Sequence, residues 1–109
     1  MTGNEYQKLA LTTARFNEMS KEDTIFNCSL GLSGESGEFA DHLKKNMFQG
    51  HGFNRDHQIK ELGDIMWYVA LGAHAMDCTL EEVMEINIAK LKARYPNGFD
   101  SEKSLNREV

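Results

Sequence analysis

Glu61-Leu62-Gly63-Asp64-Ile65-Met66-Trp67-Tyr68-Val69-Ala70-Leu71-Gly72-Ala73-His74-Ala75-Met76 shows no period-2 alternation, and its apolar residues fill most of a helical circumference. Successive helical residues turn by about 100°. With Glu61 at zero, Leu62, Ile65, Val69, Ala73 and Met76 fall at about +40° to +120°, and Trp67 and Leu71 at about −120° and −80°. Glu61, Asp64 and Tyr68 run between these flanks. The run Ile65 to Met76 is twelve residues long, short of the ~20 that a membrane span needs. It reads as a core helix that must be covered nearly all round, and a chain of this size has little else to cover it. A homo-oligomer is expected on that ground. The two carboxylates are costly inside such a helix and call for a cationic partner, either a basic side chain or a metal.

Three more helices extend outward from this one. Tyr6, Leu9, Ala10, Thr13 and Phe16 recur at helical spacing and predict a first helix from about Asn4 to Met19. Ser20 to Asp23 reads as a linker. A second helix follows over about Thr24 to Phe48, with Ile25, Cys28, Leu32, Phe39 and Leu43 as its apolar stripe. Gly50 and Gly52 predict a loop over Gln49 to Phe53. Asn54 or Asp56 can cap the third helix, which ends near Met76 at an Asp77-Cys78 turn. Thr79-Leu80-Glu81-Glu82 matches a capping box and starts a fourth helix that stops before Pro96. The fold class is therefore all-α, with long helices joined by short turns and packed antiparallel.

The chain of 109 residues is expected to form a single domain over 1–109, with a polar tail from about 100 to 109. Twelve Lys and Arg against seventeen Asp and Glu give a net charge of −5. That disfavours a generic nucleic-acid binder, which needs a basic surplus, although an acidic chain can handle phosphorylated ligands through a divalent cation. No membrane span and no secretory leader are expected. Cys28 and Cys78 form no CxxC pattern and read as reduced thiols in a cytoplasmic protein.

On the second helix Glu35, Glu38 and His42 form a polar row at the margin of the buried face, with Asp41 turned to solvent. Glu35-x-x-Glu38 and Glu61-x-x-Asp64 each present neighbouring carboxylates. If the two helices pack antiparallel, the four acids can converge as hard oxygen ligands suited to Mg²⁺ or Mn²⁺. A solvated acidic face is the plain alternative. A di-iron site would need Glu-x-x-His, which does not occur. On the fourth helix Asn87, Lys90 and Arg94 form a row beside the stripe Leu80, Met84, Ile88 and Leu91. Lys90 and Arg94 suit the acids or phosphate oxygens, with a basic flank favoured by the helix C-terminal dipole as the plain alternative. His51 and His57 lie in or beside the glycine loop and read as surface residues.

Gly31-Leu32-Ser33-Gly34-Glu35-Ser36-Gly37-Glu38-Phe39-Ala40-Asp41, Glu61 to Tyr68, and Asn87-Ile88-Ala89-Lys90-Leu91-Lys92-Ala93-Arg94-Tyr95-Pro96-Asn97-Gly98-Phe99 together resemble the MazG-like nucleoside triphosphate pyrophosphohydrolases. The ordered set has twenty-two residues between Glu38 and Glu61, and the resemblance covers roughly Tyr6 to Phe99. The resemblance implies a four-to-five-helix bundle of the all-α NTP pyrophosphatase type that assembles through its helices into a homodimer or homotetramer. It implies hydrolysis of a nucleoside triphosphate to the monophosphate and pyrophosphate, compatible with nucleotide-pool sanitising. It also implies Mg²⁺, with Mn²⁺ as a substitute, held by Glu35, Glu38, Glu61 and Asp64. Asn87, Lys90 and Arg94 match positions near the triphosphate, and Tyr68 matches one lining the nucleotide pocket. Asn27 and Trp67 are candidate base contacts, though Trp67 reads first as a core residue. Glu38 is the first choice to orient or deprotonate the attacking water. The competing readings are a helical bundle that binds nucleotide without hydrolysing it, and a protein whose acids pair with a basic partner.

Overall fold

The computed structural model describes residues 1–15, 18–99 and 101–105, and the regular structure among them is helical. Helix α1 (Gly3–Ala10) runs into a 3₁₀ turn over Leu11–Thr13, followed by α2 (Lys21–Phe48), α3 (Arg55–Ala75), α4 (Leu80–Arg94) and a short α5 (Ser101–Leu105). No helix is long and apolar enough to cross a membrane.

Local chemistry sets the ends. The first helix stops earlier than its apolar spacing predicts. The Thr12 and Thr13 hydroxyls donate to the Leu9 and Ala10 carbonyls at 2.6 and 2.7 Å and tighten the chain into the 3₁₀ turn. Phe16, the last apolar position assigned to that helix, lies outside the described residues. α2 starts three residues before the expected Thr24, because the Ser20 hydroxyl accepts from the Asp23 amide at 3.0 Å and caps the helix there. Asn54 caps α3. At the far end of α3, Asp77 adopts φ +56°. Its N–H donates to His74 O at 3.0 Å, and that of Cys78 to Ala73 O at 2.8 Å, a Schellman stop with aspartate where glycine is usual. Lys21 Nζ holds the Asp77 carboxylate at 2.6 Å, which lowers its pKa and ties the turn to the start of α2.

The capping box at Thr79 and Glu82 forms as expected, and α1 completes it from a distance. The first amides of a helix have no partner within it. Here Leu80 N–H donates to Gln7 Oε1 and Glu81 N–H to Asn4 Oδ1, both at 3.0 Å, while Glu82 N–H donates to Thr79 Oγ1 at 3.1 Å. The Gln7 amide nitrogen also donates to Ala70 O and Cys78 O. This buried side chain thus joins α1, α3 and the entry to α4.

α2 and α3 pack antiparallel along most of their length. Cys28 Sγ sits 2.8 Å from where a Cβ on Gly72 would stand and donates to Tyr68 O at 2.9 Å, while Gln58 Nε2 donates to Phe39 O at 3.2 Å. Burial raises the pKa of the Cys28 thiol, against a smaller lowering by a backbone hydrogen bond at Gly72. Gly31 lies directly under the Tyr68 ring, which occupies the space a Cβ would need, whereas at Gly37 no packing neighbour among the described residues comes within 4 Å of that position. Gly31→Val is therefore expected to cost ~1–3 kcal/mol by overpacking. Gly37→Ala should instead add ~0.5–1 kcal/mol through helix propensity. Urea melts of the two variants check this, and equal effects would contradict the packing described.

The covered core is small. Cys28, Ala70, Leu71, Ala73, Ala75 and Leu80 are buried, and among the described residues no large side chain is completely enclosed. The N-terminal half of α3, expected to be covered all round, leaves Leu62 and Met66 50% and 48% exposed. The α4 stripe beyond Leu80 is likewise open at Met84, Ile88 and Leu91. The radius of gyration is 16.8 Å, against about 13 Å for a compact chain of this length.

Candidate functional site

The antiparallel α2–α3 pairing sets two polar rows against each other. Glu35, Glu38 and His42 climb α2, while Asp64, Glu61 and His57 descend α3. Carboxylate oxygens of Glu35, Glu38 and Glu61 lie within 4.8 Å of one another. Glu61 is 7% exposed, Glu35 is half-buried and Glu38 is open to water. Asp64 is exposed and falls outside this close group, but its charge reaches Glu35 and also Tyr6, whose phenol is raised by burial first and Asp64 second.

This gathering has an electrostatic cost. Desolvation raises the Glu35 pKa most, followed by the charges of Glu38, Asp64 and Glu61 and a hydrogen bond with Glu38. The Oε2 atoms of Glu35 and Glu61 are buried and accept no hydrogen bond among the described residues. Three converging carboxylates, two of them with an unpartnered oxygen, form an all-oxygen donor set that fits a hard divalent cation such as Mg²⁺ or Mn²⁺. A carboxyl raised in the folded state binds its proton more tightly there. Its contribution favours folding below the ordinary range and fades as the pH rises through the raised value. Glu35→Gln is therefore expected to raise the melting temperature of the metal-free protein at pH ~7 more than at pH ~4, where glutamate is already largely protonated when unfolded. Equal shifts in thermal melts at the two values would contradict this.

The other sequence candidates are placed differently. Tyr68 packs over Gly31, one turn of α3 beyond Asp64. Trp67 Nε1 donates to Ala10 O at 3.0 Å and Thr13 Oγ1 at 2.9 Å, so the indole N–H anchors the 3₁₀ turn. Trp67, with Asn27 and Arg15, lines a cavity of about 220 Å³ between α2, α3 and the 13–15 segment. A larger hollow of about 490 Å³ is lined by Asn4, Gln7, Lys8 and Thr79 and contains none of the acids. Asn87 and Lys90 are exposed, and among the described residues no ion pair links them to the acids. Arg94 is half-buried, with its guanidinium 5.8 Å from the Tyr95 ring centre. α4 packs on α1 and α3.

His57 was expected on the surface beside the loop. It stands instead in the first turn of α3, half-buried, with Nε2 3.2 Å from Glu61 Oε1. Its ring centre lies 3.8 Å from that of His42. The signal was present in the sequence as the one-turn spacing of His57 and Glu61, matched by Glu38 and His42 on α2.

The family model described as the MazG nucleotide pyrophosphohydrolase domain matches residues 24–99, which contain all of the acids named above and the α4 basic row. The chain is also similar to the Gene 37 protein of Mycobacterium phage L5, 38% identical over 109 residues, an alignment covering 94% of this chain and 96% of that protein. No solved structure matches.

Proposed function

Because the chain belongs to the MazG nucleotide pyrophosphohydrolase family, we propose that it hydrolyses nucleoside triphosphates to monophosphate and pyrophosphate with Mg²⁺ as cofactor. The observation that carries this reading is the convergence of Glu35, Glu38 and Glu61 with two carboxylate oxygens left without partners. These three residues hold the cation, and Asp64, one turn from Glu61, adds charge at the margin. The cation, when bound, offsets phosphate charge and makes coordinated water more acidic. Mn²⁺ is the expected substitute.

The chain's own residues have distinct tasks. Glu38 is the exposed member of the group and meets solvent, so it is assigned to orient the attacking water and accept its proton. Glu61, fixed by burial, keeps the group in place. Phosphoryl transfer depends on positioning and charge neutralisation more than on covalent help. The Trp67–Asn27 cavity is assigned to the nucleotide base. Asn27 and Glu35 are eight residues apart on α2, about 12 Å along the helix axis, a separation that sugar and phosphates can bridge. Tyr68 lies between the two.

The open apolar rows of α2, α3 and α4 and the extended shape support assembly into a homodimer or homotetramer. Such assembly would cover Leu62, Met66 and Ile88. It also supplies a way for Asn87, Lys90 and Arg94 of one chain to reach phosphates held at the acids of another. Pool sanitising is one use of this activity.

The test is product analysis over a panel of canonical and damaged NTPs and dNTPs. Pyrophosphate and monophosphate in equal amounts, only with Mg²⁺ or Mn²⁺, are expected. Binding without turnover across the panel would favour the non-catalytic nucleotide-binding bundle. Release of single phosphates would contradict the assigned reaction.

A further inference from the structure

Beyond the carboxylate group, the polar rows end in a third pair that the proposed reaction does not use. His42, His57 and Glu61 each offer one ligand atom, and these atoms lie within 4.8 Å of one another. Glu61 is 93% buried by its 7% exposure, and its Oε2 has no hydrogen-bond partner among the described residues. His57 Nε2 approaches Glu61 Oε1 to 3.2 Å, yet it is buried and makes no hydrogen bond. The two atoms are close without pointing at each other as donor and acceptor. Two ligands of one tetrahedral ion with bonds of about 2.0–2.1 Å stand about 3.3 Å apart, the spacing seen here. From α2, His42 brings its ring against that of His57, with centres 3.8 Å apart.

The geometry points to a second cation site, formed by His42, His57 and Glu61, that takes a borderline transition ion of the Zn²⁺ class. Imidazole nitrogens suit Zn²⁺, Co²⁺ or Ni²⁺, whereas Mg²⁺ keeps to oxygen ligands. The donor sets therefore sort two ions between adjacent positions, with Glu61 shared. The site spans α2 and the first turn of α3 across the Gln49–Asn54 loop, so the ion clamps that hairpin. It does not depend on the pyrophosphohydrolase reading.

The test is Zn²⁺ binding to the metal-free full chain in excess Mg²⁺, by equilibrium dialysis. One Zn²⁺ per chain is expected, retained in Glu35→Ala and at least ~100-fold weaker in His42→Ala and in His57→Ala. Zinc K-edge absorption on the unaltered protein gives a readout free of any folding defect in the variants, and two imidazoles in the outer-shell scattering are expected. No binding in excess Mg²⁺, an all-oxygen shell, or binding lost in Glu35→Ala but unchanged in the histidine variants would overturn the site. Because binding is read without nucleotide, its failure leaves the reaction assignment standing. Loss of pyrophosphate release with Zn²⁺ binding intact would count against that assignment alone.

Discussion

Glu61→Ala is expected to lower Mg²⁺-dependent pyrophosphate release by at least ~100-fold, and Glu38→Ala by a similar amount. Charge neutralisation by a bound divalent ion is worth several kcal/mol in the transition state, and each ~1.4 kcal/mol is tenfold in rate. The two variants should differ in stability. Glu61 is buried with an oxygen that has no partner, so its removal relieves a desolvation cost and leaves the metal-free protein at least as stable. Glu38 is exposed, and its loss should be nearly neutral for folding. Initial rates over a Mg²⁺ titration, paired with helical circular dichroism, check both. Activity near the unaltered level in either variant contradicts the site, and a loss of helicity in step with activity would mean that the residue acts through the fold.

The second large effect concerns assembly. Ile59, Leu62 and Met66 form an exposed row on α3 at i, i+3 and i+7, and α4 offers Met84, Ile88 and Leu91 at similar spacing. Leu62→Asp with Met66→Asp is expected to convert the assembled protein to monomer. Each carboxylate carried into an apolar interface costs several kcal/mol, and two together weaken association by at least ~1,000-fold. Sedimentation velocity of the unaltered and doubly substituted chains reads this directly. A monomer before substitution, or an unchanged oligomer after it, would contradict the covering of this row by a second copy.

Much of this organisation was legible because it is local. The capping box at Thr79, a cap for α3 at Asn54 or Asp56, the glycine loop and the acid rows on α2 and α3 follow from spacing alone, and the structure selects Asn54. Positions set by other elements were not legible. Gln7 lies between the apolar positions Tyr6 and Leu9 with nothing in the spacing to single it out, and only the folded chain shows its amide serving Ala70, Cys78 and Leu80 at once. The early end of α1 depends on two threonine hydroxyls turning back onto carbonyls, which apolar periodicity does not register. Ser20-x-x-Asp23 was an available start signal for α2, yet it reads equally well as a polar linker. Of the glycines at 31, 34 and 37, the structure separates the one under Tyr68 from two with open space around them. The acid rows could be drawn on each helix separately, but the pairing of Glu38 with Glu61 and of His42 with His57 depends on the register between helices. Gly72 against Cys28 and Gly31 against Tyr68 set that register.

Crystals grown with Mn²⁺ and a non-hydrolysable nucleoside triphosphate, with anomalous scattering recorded at the manganese edge, test the central claim most directly. The account predicts a peak about 2.1 Å from carboxylate oxygens of Glu35, Glu38 and Glu61, with phosphate oxygens on its open side. Those carboxylates standing apart with no peak between them, or the phosphates bound away from them, would contradict it.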